Sequence, residues 1–147
     1  MEPLITEIVE QKLIEILGDP DSGYELKPAI KARLLKRTKP GKNISAQKVA
    51  RDLGLKWWRL TEVEFTPEAA TDLARLDTMI RQRVLANIRW LSENFNIITP
   101  TKLTGNLRNI CKLRIGDWRV FYEYQKNPSL ITIRAIGNRR EIYRIRS

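Results

Sequence analysis

The residues best suited to chemistry in this chain are cations set at strand spacing near its C-terminal end. In 110–115, Lys112 and Arg114 fall on one side of an extended segment, and Cys111, Leu113 and Ile115 on the other. In 118–124, Arg119, Phe121 and Glu123 alternate with Trp118, Val120, Tyr122 and Tyr124. In 130–136, Thr132, Arg134 and Ile136 alternate with Ile131, Ile133 and Ala135. If each apolar set faces a core, Lys112, Arg114, Arg119 and Arg134 share the exposed face, with Arg139 and Arg140 at its end. Lys102 and Arg108 flank that face as further cations, and Trp118 is among the aromatics at its margin.

Such a face suits a phosphodiester. Guanidinium forks bind phosphate in bidentate fashion and stack on bases, and tyrosine offers both a ring and a hydroxyl. The face also suits RNA cleavage without a metal. A 2′-hydroxyl must lose a proton, the pentacoordinate phosphorane needs positive charge, and the 5′-oxygen must gain a proton. Neighbouring cations depress one another's pKa, so a crowded lysine becomes a usable base. Arginines aimed at the developing charge contribute about 3–4 kcal/mol each. The alternative is a polar face that binds RNA and leaves it intact.

What the chain lacks narrows the chemistry further. Its 147 residues include no histidine, the usual proton carrier near neutral pH and the commonest zinc ligand. No Asp/Glu cluster stands at ligand spacing, so neither a metal nor a cofactor is expected. The single cysteine, Cys111, cannot form an internal disulfide and fits a reducing cytoplasm. No apolar run approaches the ~18 residues of a spanning helix, and Met1-Glu2-Pro3 lacks the basic start of a signal peptide. The reading is a cytoplasmic chain with no membrane partner. The net charge of +10 is unevenly placed. Residues 1–100 hold 16 Lys/Arg against 14 Asp/Glu, whereas residues 101–147 hold 11 against 3. Solubility does not require such segregation, which points to a polyanion, nucleic acid first.

The elements that must position these cations can be read from periodicity and punctuation. Leu60–Phe65 alternates like a short strand, and Thr66-Pro67-Glu68 opens a helix to about Leu76. Asp77 caps a second helix to about Phe95, whose buried stripe includes Ile80, Val84, Leu85, Ile88 and Leu91. After a loop over 96–109, the strands 110–115, 118–124 and 130–136 follow at hairpin spacing and form an antiparallel meander. The order β-α-α-β-β-β predicts an α+β domain, with an αα-hairpin on one face of an antiparallel sheet and the other face open. Ahead of it, 4–17, 28–37 and 46–53 read as short helices, the last capped by Ser45 and ended by Gly54. Helices so short cannot hide their own stripes, so they must wrap around something. The expected division is a helical segment over 1–58 and a second domain over 59–147.

The run Lys112-Leu113-Arg114-Ile115-Gly116-Asp117-Trp118-Arg119-Val120-Phe121-Tyr122 resembles the pattern K-L-R-x-G-D-Y-R-V-x-Y of the RelE/ParE toxin superfamily. Gly137-Asn138-Arg139-Arg140-Glu141-Ile142-Tyr143 is similar to its closing G-x-R-x-E-x-Y. Phe65-Thr66-Pro67-Glu68-Ala69 resembles its opening strand-to-helix junction, and Leu103-Thr104-Gly105 its L-x-G. The four lie in the family's order and spacing across 60–143. Cys111 and Trp118 depart from it, standing where an aromatic residue and a tyrosine are common. The resemblance implies a RelE-like fold and an endoribonuclease that cuts mRNA in the ribosomal A site without a cofactor. It implies that Lys112 and Arg114 stand near the nucleophile and that Arg119 stabilises the phosphate. Arg139 would stand beside the leaving group, with Tyr143 stacking on the base. Guanidinium is always charged, so Lys112 rather than Arg114 is the expected base. ParE toxins share the fold but act on DNA gyrase and lack most of this set.

The N-terminal segment resembles the toxin-binding part of a short antitoxin, through 15–21, 25–28 and 49–57, joined to the toxin near Trp57-Trp58-Arg59. That resemblance implies restraint in cis, or a separate antitoxin as partner. Ser45–Leu55 also resembles half a helix-turn-helix, which would make DNA a partner of the N-terminal helices. The segment is not acidic: residues 1–59 hold 12 Lys/Arg and 8 Asp/Glu, unlike an inhibitor that masks a basic face by bulk charge.

Overall fold

A computed structural model of the chain describes residues 9, 21, 24–36, 42–54, 62–95, 98–126 and 129–144. The helix expected over 4–17 falls almost wholly outside the described residues, and the junction at Trp57-Trp58-Arg59 does so entirely.

Three of the expected helix starts are closed by the side chains that punctuation singled out. Ser45 accepts from Lys48 N at 3.2 Å at the start of α2 (Ala46–Asp52), after α1 (Pro28–Leu35). Thr66 accepts from Ala69 N at 3.2 Å and begins α3 (Pro67–Ala74), and Asp77 accepts from Ile80 N at 3.0 Å and begins α4 (Thr78–Asn94). Each cap satisfies a backbone donor that the helix leaves orphaned.

The strands are β1 (Glu25–Leu26), β2 (Ile44–Ser45), β3 (Glu62–Phe65), β4 (Thr101–Lys102), β5 (Cys111–Ile115), β6 (Trp118–Gln125), β7 (Leu130–Asn138) and β8 (Tyr143–Arg144). Six of them form one sheet in the order β2-β3-β7-β6-β5-β4. The β5-β6-β7 meander is antiparallel, as expected. Gly116, at φ +59, makes the two-residue turn between β5 and β6. The sheet as a whole is mixed rather than antiparallel, because β3 returns through the α3–α4 pair and lies parallel to β7. Two-residue strands widen it at both edges. β4 emerges from the stretch read as a loop, and β2 pairs with β3 from across the expected 58/59 boundary. Two residues are too few for any periodicity to announce.

One face of the sheet packs Val63, Phe65, Leu113, Ile115, Val120, Tyr122, Ile131 and Ile133 against Leu73, Val84, Leu85, Ile88 and Leu91 of the helical pair. Ala46, Val49 and Ala50 of α2 belong to that same core. Alternation held along β5 and failed in one place on β7. Phe121 pairs with Ala135 and Tyr122 with Ile133, so Arg134 is an extra residue between them. The resulting β-bulge shifts the period by one. Ala135 therefore joins the opposite face, with Phe121, while Ile136 joins the main core.

The opposite face is not open. Leu34 of α1, Leu107, Ile110, Phe121, Ala135, Ile142 and Tyr143 form a second buried cluster there, with Leu26 and Ile30 packed on it. Burying an aliphatic side chain such as Leu34 contributes about 2 kcal/mol. The cover is also tied by its backbone. β1 pairs with β8, Glu25 opposite Arg144 and Leu26 opposite Tyr143, and Lys27 N donates to Ile142 O at 2.8 Å. Among the described residues, no helix is long and apolar enough to cross a membrane.

Candidate functional site

Strand alternation places Lys112 and Arg119 on the covered face, and the short helix α5 (Arg139–Ile142) brings Arg139 to its end. Asn138 caps α5 by accepting from Arg140 N at 3.1 Å, and Arg139 N donates to Asp117 O at 2.8 Å in the β5–β6 turn. These two bonds aim Arg139 back toward the meander. Tyr143 follows in β8.

At the centre of these groups stands a carboxylate that the sequence did not single out. Asp21 accepts from Arg119 through both oxygens, from Nε at 2.6 Å and from Nη2 at 3.2 Å. Lys112 Nζ donates to Asp21 at 3.2 Å and to the Tyr143 hydroxyl at 3.1 Å. Arg139 Nη2 lies 3.9 Å from the other Asp21 oxygen. Arg119 completes its set by donating to the carbonyls of Gly116 and Trp118, at 2.7 and 2.9 Å. Charge-assisted forks of this kind are the strong hydrogen bonds of a protein interior.

The expectation that these cations are solvent-facing is corrected. Lys112 is 5% exposed, Arg119 0%, Arg134 6% and Tyr143 3%, and the Asp21 side chain is as deeply buried. Burial by itself raises the Asp21 pKa. The hydrogen bond from Arg119, the charges of Lys112 and Arg119 and the hydrogen bond from Lys112 outweigh it and hold the carboxyl at about 2.

The structure gathers Lys112, Arg119, Arg139 and Tyr143 around this one point. Arg114 sits opposite Arg119 in the β5–β6 register, half-buried and on the same face as Lys112. The flanking candidates disperse. Lys102 and Arg108 are exposed away from Asp21, and Trp118 packs on the main core, across the sheet from Arg119. Arg134 is spent on the cover. Its guanidinium donates to Glu123 and to the carbonyls of Arg33, Leu34 and Lys36 at the end of α1. In return Arg33 donates to Arg134 O at 3.1 Å and to Asp72 at 2.8 Å. Arg140 is exposed and lines an open groove with Tyr24, Lys27 and Arg144. Cys111 is a core residue. Burial pushes its thiol pKa up, and that of neighbouring Tyr122 as well, so both stay neutral.

Sequence reasoning missed Asp21, Tyr24 and Lys27 as members of the site. Asp21 and Arg119 are 98 residues apart, and no local pattern reports such a contact.

The cationic cluster on the sheet of this small α+β domain is thus closed by a carboxylate from the N-terminal segment. The family model for the ParE toxin of type II toxin–antitoxin systems matches residues 63–143, more than half of the chain. The chain belongs to that family, within the RelE/ParE superfamily. All four motifs read in the sequence, from Phe65 to Tyr143, lie inside or at the edge of the matched stretch. No curated protein matches the chain. Among solved structures, the toxin–antitoxin complex RelBE2 from Mycobacterium tuberculosis aligns with a TM-score of 0.48 and 23% identity. The alignment covers 52% of this chain and 87% of that one, a likeness too slight to bear on function.

Proposed function

We propose that this chain is a toxin whose RNA-cleaving face is held shut by its own N-terminal segment, with Asp21 occupying the place of the scissile phosphate. The observation that carries the reading is the bidentate Asp21–Arg119 contact, with Lys112 and Arg139 on the same carboxylate. A carboxylate and a phosphate both present anionic oxygens to a guanidinium fork, so the groups that hold one can hold the other. In the covered chain Lys112 is a donor to Asp21 and Tyr143, and its role as base begins only when Asp21 leaves.

With mRNA in place of Asp21, Lys112 takes the proton of the 2′-hydroxyl and the 2′-oxygen attacks the adjacent phosphorus. Arg119 and Arg114 stabilise the charge on the phosphorane. The bond to the 5′-oxygen breaks, that oxygen takes a proton from a solvent water while Arg139 stabilises its charge, Lys112 later returns its proton to solvent, and Tyr143 stacks on the base. The products are a 2′,3′-cyclic phosphate and a 5′-hydroxyl. The substrate of this reading is mRNA in the ribosomal A site, and a separate antitoxin would compete for the same face.

All 147 residues are needed for a test, because α2 and β2 belong to the main core and truncation at residue 60 removes them. In a translating extract, Asp21→Ala should cut mRNA where the intact chain does not, leaving cyclic phosphate ends. Adding Arg119→Ala should lower cleavage by about 10²–10³-fold. A folded Asp21→Ala chain that leaves mRNA intact sinks the proposal. The second reading, a gyrase-binding toxin, is favoured by the family's description. It predicts that Asp21→Ala inhibits DNA supercoiling by gyrase and that Arg139→Ala does not abolish this.

A further inference from the structure

Beside the sealed cluster lies an open groove in which the N-terminal segment supplies binding groups as well as a cover. Tyr24 and Lys27 line it from that segment, and Arg139, Arg140 and Arg144 from α5 and β8. Asp117 is the one carboxylate among the described lining residues. Tyr24 is 37% exposed as a residue, and its ring lies 5.9 Å from that of Tyr143, with the Arg139 guanidinium 5.3 Å from the Tyr24 ring centroid. Next to the groove, the Asp21 carboxylate is shared by Lys112, Arg119 and Arg139.

We infer that this groove binds single-stranded nucleic acid in the intact, covered chain, with Lys27, Arg140 and Arg144 on successive phosphates and an unstacked base against Tyr24. A row of cations beside an accessible aromatic ring is the pattern that recognises a single strand, since every base offers a face to stack while the backbone tracks the charge. An acidic peptide would use the cations and leave the ring without a purpose. A duplex would keep its bases away from the ring. The inference goes beyond the proposed cleavage and does not depend on it, because the side chains of Lys27, Tyr24 and Arg144 are not among the groups that hold the Asp21 carboxylate in the contacts above.

The test uses the full-length chain and a fluorescent deoxythymidine dodecamer, which lacks the 2′-hydroxyl and cannot be cut by the proposed reaction. Fluorescence anisotropy at several salt concentrations should show binding, with log affinity falling against log salt at a slope of about −2 to −3 for three or four phosphates. Lys27→Ala and Arg144→Ala should each flatten that slope by ~0.7. Tyr24→Ala should weaken binding by roughly 5- to 100-fold, and Tyr24→Phe should leave it intact. If Tyr24→Ala unseats the segment, the two cation variants still decide the matter. Absence of binding by the intact chain overturns the inference, as does an unchanged slope in the Lys27→Ala, Arg144→Ala double variant. Equal or tighter binding of duplex DNA, or of a glutamate decapeptide, overturns it as well.

Discussion

The two faces of the sheet are both buried, but by different physics. The face under α3 and α4 is closed by interlocking apolar side chains, among them Phe65, Leu73, Ile88 and Leu91, none of which reaches solvent. The face under α1 is closed by a smaller apolar patch together with ionic contacts: Asp21 with Arg119 and Lys112, and Arg33 with Asp72. Apolar burial is non-directional and offers no charged partner for a competing anion to displace. An ionic closure can be exchanged for another anion of the same geometry. On the proposed reading, one face makes the fold and the other opens without destroying it.

Breaking the first face should have the largest effect and should not discriminate. Phe65→Ala should cost about 3–5 kcal/mol in urea unfolding. Both faces should be lost in one transition, since β3 anchors β2 and β7 alike. Breaking the second face should be selective. Asp21→Ala leaves Lys112 and Arg119 buried without their counter-charge, at a cost of about 3 kcal/mol. Hydrogen exchange should quicken at 25–35 and stay slow at 84–91.

Acid should act on the same contact. Because the Asp21 pKa falls from 3.8 to about 2 on folding, its contribution is complete well above pH 3.8 and is lost as pH falls through 2. The amount is about 2 kcal/mol, read as the difference in opening free energy of 25–35 between the intact chain and Asp21→Asn across that range. The smallest effect belongs to Asp72→Asn. Asp72 holds Arg33 and also accepts from Ile136 N at 3.0 Å, at a partly buried position where the asparagine amide oxygen can still accept. A loss of about 1 kcal/mol, again confined to exchange at 25–35, is expected.

The sheet-and-helix frame was legible because its signals are local. Caps at Ser45, Thr66 and Asp77 sit beside the helices they start, and alternation along β5 placed Lys112 and Arg114 on one face without help from the rest of the chain. Arg134 and Ala135 were harder to place, since a bulge is a property of two strands and leaves no mark on one. The cover was legible as an orphaned set of short helices that had to pack on something. How it closes was not. A basic segment gave no bulk-charge reason to seal a basic face, and the closure rests on single residues, Asp21 above all, whose partners lie in distant strands.

The central claim is that one carboxylate, Asp21, sits among the cations of this face in solution. Its side-chain carboxyl carbon, labelled in the 147-residue chain and followed by NMR through an acid titration, reports that directly. A midpoint near 2 is the predicted result. A midpoint at or above the ordinary 3.8, in a chain that remains folded, would place Asp21 away from Arg119 and Lys112 and contradict the account.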